Sequence, residues 1–250
     1  MSTTVIGLVV FICVFGGALL GVYLRGVLPE HHRSAESRDL VRVATGLLAT
    51  MTALVLGLLI GSAKASYDTQ GNELKQATVN IMMLDRGLAH YGPETREARA
   101  LLRRWMAGAI ERLWPRTGSR LPQFDPGSGP EALYDTLQAL SPRDESQRAI
   151  QAQALRIATD LGGTRWLLAA QRSGSIPMPF LVMLVCWIAV IFVSFGLFAP
   201  PNATVVATLL ICALSVSGAI FMILELDQPF GGLVQISNEP LRNALAQLGQ

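Results

Sequence analysis

Four stretches of the chain, residues 5–24, 43–63, 180–198 and 203–224, run for 19 to 22 residues without one charged side chain. A helix needs roughly 20 apolar residues to cross the hydrocarbon core of a bilayer, and a soluble core helix rarely stays apolar on every face for that length. The stretches are therefore read as four transmembrane helices, spans one to four. The composition agrees, with 51% apolar residues, 15% charged residues and a mean hydropathy of +0.41. Span one is read as a retained helix rather than a cleaved leader, because "MSTT" carries no Lys or Arg and no A-x-A site follows "GVYLRG".

Spacing sets the organisation. Spans two and three are separated by a long hydrophilic insert, whereas the other connections are short. The predicted fold is an all-α membrane protein: a first transmembrane hairpin at 1–63, a helical insert at 64–176, and a second hairpin with its tail at 177–250. The amino terminus, insert and carboxyl terminus then share one side of the membrane. Near the spans, that side carries Lys64, Lys75, Arg165, Arg172 and Arg242, against Arg25, Arg33, Arg38 and Arg42 on the other. By the positive-inside rule this is a near tie that leans slightly against a cytoplasmic insert.

Within the insert, Tyr67, Leu74, Ala77, Ile81, Leu84 and Leu88 recur every three or four residues, a stripe that extends span two as a helix beyond the membrane. "HYGP" ends that helix at Gly92 and Pro93. The next, residues 94–114, places Ala98, Leu101, Leu102, Trp105, Ala109 and Leu113 on one face. "PRTGSRLPQFDPGSG" is a loop, a short helix carries Leu133, Leu137 and Leu140, and "SPRDE" starts a long helix over 143–171, with Ser141 as its cap and Asp144 in the capping-box position.

The candidate functional residues lie on and near span two. Thr45, Ala49, Ala53, Gly57, Gly61 and Ala65 put a small residue at every fourth position. Such a stripe lets helix backbones approach closely in lipid, with Gly17 and Gly21 of span one as a partner surface. Leu47, Met51, Leu54 and Leu58 make a second, bulky face. It either meets lipid or forms an apolar gate around an oligomeric axis, where a dry constriction stops ions. Lys64 and Asp68 stand four apart at the exit of span two, and Glu225 and Asp227 end span four on the same side. These charges could pair and lock the two spans together, although a Lys at a helix end also snorkels to the interface alone. Pro229, Phe230 and Gly231 then turn the chain back.

Other classes find no support in the sequence. The net charge of +2 is spread along the chain and leaves no nucleic-acid footprint. Cys13, Cys186 and Cys212 lie in apolar runs, and His31, His32 and His90 lack metal-ligand spacing, so no metal or other cofactor is expected. No nucleophile elbow, P-loop or dinucleotide fingerprint occurs, and the chain is not read as an enzyme.

The landmarks "GSAKASYD", "DRGLAHYGPE", "GLFAPPNATV" and "ILELDQPFGGLVQISNEPLR" together resemble the bacterial bestrophin-like domain family, across nearly the whole chain. Beyond that family, the hairpin order, the Pro229-Phe230-Gly231 turn and the segment Asn238-Glu239-Pro240-Leu241 are similar to the bestrophins proper. Those are pentameric anion channels with a cytosolic helical region and an apolar neck on the second span. The resemblance implies an oligomeric bacterial inner-membrane protein, as a pentamer, passing small ions along span two, with the insert and both termini in the cytoplasm. Two bestrophin features are missing: the acidic cluster that holds calcium in animal members, and any Phe on span two. The alternative is a non-conducting membrane scaffold or sensor whose insert binds a partner.

Overall fold

The computed structural model describes residues 2–29, 35–115, 129–171, 178–200 and 202–248, without the side chains of 130 and 165–171. His31, His32, Arg33, most of the Pro-rich loop, Arg172 and the side chain of Arg165 lie outside the described residues. The described elements are all helical: α1 (Thr3–Val27), α2 (Ala35–Tyr91), a 3-10 turn (Pro93–Thr95), α3 (Arg96–Leu113), α4 (Pro130–Gln138), α5 (Glu145–Gln171), α6 (Met178–Phe198), α7 (Ala203–Leu226) and α8 (Glu239–Gln247). They form two compact units. The first holds Met1–Tyr67 and Gly174–Gln228, and the second holds Asp68–Ser173 and Pro229–Gln250.

Unit one contains the four spans. α1, α2, α6 and α7 are each long and apolar enough to cross a membrane. Each continues the expected apolar run by a few residues or, for α2, by many. The α2 sequence has no Pro, and its 57 residues form one unbroken helix. Val10, Val14 and Ala18 of α1 pack with Leu184, Ile188 and Phe192 of α6 and with Ala213, Ile220 and Ile223 of α7 in the core of this unit. Leu59 and Ala63 of α2 join them.

α1 and α6 approach each other closely, and the approach depends on glycine. A Cβ on Gly21 would collide with the Val193 carbonyl oxygen, and a Cβ on Gly196 would collide with that of Ala18. Each helix presses its glycine on the other's backbone. Gly17 sits one turn away, where a Cβ would lie 3.2 Å from the Ala189 carbonyl. So Gly17 and Gly21 face α6 and not the small stripe of α2, a correction to the sequence expectation. Fourfold spacing of small residues marks a surface that can approach closely, but it does not say which helix will. At the end of the pair, the Arg25 guanidinium donates to the Ala199 carbonyl, a cation on carbonyls left over at a helix C-terminus.

Unit two buries the predicted stripe. Leu74, Ile81, Leu84 and Leu88 of α2 pack with Ala98, Leu101, Leu102, Trp105, Met106 and Ile110 of α3, Leu133 and Leu137 of α4, and Ala154, Ala158 and Leu161 of α5. Leu241, Ala244 and Leu248 of α8 complete the core. The face of α3 is rotated slightly from the expected one: Met106 and Ile110 are buried, while Ala109 and Leu113 are half-buried. α2 stops at Gly92, whose φ of 135° and ψ of −177° suit glycine alone. The Thr95 hydroxyl, fully buried, donates to the Leu88 carbonyl at 2.6 Å and so satisfies one of the last carbonyls of α2.

α5 begins at Glu145 rather than 143, and its cap is Asp144 rather than Ser141. The Asp144 carboxylate accepts from the Gln147 backbone N–H at 2.7 Å, while the Gln147 amide donates to the Tyr91 carbonyl at 2.9 Å. Two capping patterns overlap in this sequence, and the one whose Gln also ties down the end of α2 is used. Burial, together with Glu94 and Asp144, pushes the Tyr91 phenol above its ordinary value, so it stays protonated.

Candidate functional site

At 100° per residue the membrane part of α2 divides into three faces of roughly a third of the circumference each. Leu48, Thr52, Val55, Leu56, Leu59 and Ala63 form the face turned to the chain's own core, buried or half-buried. The Thr52 hydroxyl donates to the Leu48 carbonyl at 2.7 Å, so this polar group carries its own partner into the interior.

The other two faces are the sequence-predicted ones. Leu47, Met51, Leu54 and Leu58 are 66%, 45%, 69% and 76% exposed, and they fall within an arc of about 60°. Ala49, Ala53, Gly57 and Gly61 are exposed as well, and a Cβ on Gly57 or Gly61 would meet nothing within 4 Å. Neither face is covered by its own chain. Only 11% of the α2 membrane window is buried, against 22% for α1, 33% for α6 and 28% for α7. The span with the most organised surface is thus the span with the least cover.

At the end of α7, Glu225 is 2% exposed and accepts a hydrogen bond from the Thr3 hydroxyl at 2.5 Å. Sequence reasoning missed this contact. The partners are 222 residues apart, and no local pattern points to it. Asp227 is half-buried, Asp68 is exposed, and the Lys64 ammonium lies 5.5 Å from the centre of the Tyr67 ring.

The turn that follows belongs to unit two. Pro229 is buried, and its carbonyl accepts from the Ile236 N–H at 2.8 Å, closing a loop of eight residues. The Phe230 ring meets Trp114 edge-on at 5.4 Å, and the Trp114 indole N–H donates to the Ile236 carbonyl at 2.9 Å. The residue with left-handed backbone is Gly232, at φ 80°, one position beyond Gly231. Phe230 thereby anchors the segment leading to α8 in the core of its unit. Among the described residues no group of three or more His, Cys, Asp or Glu could hold a metal ion.

Four spans arranged as two hairpins, with helical structure between them and an unshielded second span, define an integral membrane protein of the all-α class. The profile of the Bestrophin-like domain matches residues 12–241, and the chain belongs to that family. The fold is similar to three crystal structures of a bacterial bestrophin homologue from Klebsiella pneumoniae, two of which carry a point mutation. The first is 14% identical with a TM-score of 0.63, covering 95% of this chain and 99% of that one. The unmutated structure is 15% identical with a TM-score of 0.62, covering 94% and 98%. No curated protein matches the chain.

Proposed function

We propose that the protein is an oligomeric ion channel of the inner membrane, passing anions, with α2 at the axis of a ring of identical subunits. The observation that carries this reading is the division of α2 into one covered and two uncovered faces. Lipid alone gives no reason to segregate small residues from bulky ones on the uncovered side. A ring does. Ala49, Ala53, Gly57 and Gly61 would take the neighbouring subunit's α2, because in lipid close backbone approach is what holds helices together. Leu47, Met51, Leu54 and Leu58 would then line the axis and close it by excluding water. Family membership favours the same reading, since bestrophins proper are anion channels. A pentamer, with the insert and both termini in the cytoplasm, is the arrangement that goes with it.

Substituting Leu54 and Leu58 together by Thr replaces an apolar ring by a hydroxyl-lined one, and basal chloride flux through purified protein in liposomes is expected to rise on the order of tenfold. The paired measurement is Gly57→Leu, expected to break the oligomer on size-exclusion chromatography with multi-angle scattering. If the Thr protein assembles and neither it nor the parent passes chloride, sodium or potassium under voltage, the channel reading fails and the scaffold takes its place.

A further inference from the structure

Unit one contains a cavity of about 670 Å³ that shares only Ala49, at its inner end, with the residues the channel reading uses. It lies between the start of α2, the end of α6 and the start of α7, at the end of the unit that holds the two short connections. Its size is that of an ordinary ligand site. Along α2 it runs from Arg38 to Ala49, about 16 Å at 1.5 Å per residue, which is close to half of a ~30 Å hydrocarbon core. One leaflet has that depth.

The chemistry changes along this length. At the mouth stand Arg38 and Arg42, both exposed, with the Arg38 guanidinium 5.9 Å from the centre of the Phe198 ring. Asp39 is 3.8 Å from Arg42, but both side chains are about three-quarters exposed (74% and 76%), so this pair is weak and exchangeable. Deeper, the walls are apolar, with Phe195, Leu209 and Cys212 among them. The hydroxyls of Ser194 and Thr208 already donate to carbonyls of their own helices, Val190 and Thr204, each at 2.9 Å. Their protons are therefore not available to solvate a buried anion.

We infer that this cavity is a binding site for an anionic phospholipid, with one acyl chain between α2, α6 and α7 and the phosphate held by Arg38 and Arg42. A free small anion would gain two guanidinium groups and then face an apolar wall. A zwitterionic lipid would fill the wall but bring a cation to the arginines. An anionic lipid satisfies both ends, and guanidinium with phosphate makes charge-assisted bonds in a fixed geometry. The site does not depend on whether the protein conducts.

The test is native mass spectrometry of the purified oligomer in non-ionic detergent, titrated with phosphatidylglycerol, with phosphatidylcholine of the same chains, and with glycerol phosphate as head group alone. The parent should retain phosphatidylglycerol well above the other two. Arg38→Gln with Arg42→Gln should weaken that retention on the order of tenfold or more, with the oligomer intact. Cys212→Trp, which fills the apolar end, should reduce the binding of both lipids. Equal retention of the two lipids, binding of glycerol phosphate as tight as that of the lipid, or an unchanged Arg38→Gln, Arg42→Gln protein would each overturn the site. So would a change of subunit number on Cys212→Trp with no lipid lost, since a neighbouring copy would then be the occupant. The exposed arginine pair decides the matter even if the tryptophan protein does not fold.

Discussion

Gly21→Ala and Gly196→Ala are each expected to weaken the packing of α1 on α6 strongly, and with it to destabilise the membrane unit. The single methyl group added at either position falls on a backbone carbonyl oxygen of the other helix, Val193 or Ala18. A flexible side chain could move aside, but a carbonyl held in a helix cannot, so the two rods must separate along their whole contact. Overpacking a well-filled interior costs about 1–3 kcal/mol, and displacement of backbone belongs at or above the upper end. That is a large part of the 5–15 kcal/mol that holds a typical protein together. Gly17→Ala should cost less, because the Ala189 carbonyl at 3.2 Å has only tenths of an ångström to yield. Gly16→Ala is the control on the same helix, with nothing within 4 Å of its Cβ. The thermal midpoint in detergent should fall in the order Gly16, Gly17, Gly21. Equal midpoints for Gly16→Ala and Gly21→Ala would show that the glycine crossing is not what sets the helix separation.

Most of the architecture is legible in the sequence because two strong periodicities carry it. Charge-free runs of bilayer length mark the spans, and the stripe from Leu74 to Leu88 marks α2 as one helix continuing past the membrane. The Asp85-to-Glu94 motif is legible as a helix end for the same reason: Gly92 and Pro93 act on their own backbone. What the sequence hides is pairing between distant elements. Gly17 and Gly21 read as a surface seeking a partner, but nothing local says that α6 supplies it. The Thr3 contact with Glu225 is hidden likewise. Lengthy connection is one cause, and redundancy is another, as at the start of α5, where Ser141 and Asp144 both have a cap's spacing. For the candidate site, the sequence separates the bulky from the small face of α2. The covered third face appears only when Leu48, Thr52, Leu59 and Ala63 are seen turned inward.

Arg99→Ala should destabilise unit two by about 3–5 kcal/mol, the cost of removing one partner of a largely buried ion pair. Arg99 of α3 grips Asp85 of α2 with two bonds, Nε to Oδ1 at 2.7 Å and Nη2 to Oδ2 at 2.9 Å. The side chains are 20% and 10% exposed, so water screens the pair little. The hydrogen bonds that Arg99 donates to Asp85 raise its pKa above the ordinary value, and burial lowers it by less. The guanidinium therefore keeps its charge throughout the usable alkaline range, and the pair cannot be broken by raising the pH. Substitution is the way to remove it. The loss should appear as a fall of the thermal midpoint on the order of 10 °C and as faster hydrogen exchange in α3. Replacing both partners by apolar residues, Asp85→Leu with Arg99→Met, should recover most of that loss, because a buried ion pair contributes little beyond what well-packed side chains of similar volume would. Recovery in the double variant would mean that the pair fixes which helix faces meet rather than supplying net stability. No loss on Arg99→Ala would refute the claim that it holds the corner where α2 gives way to α3.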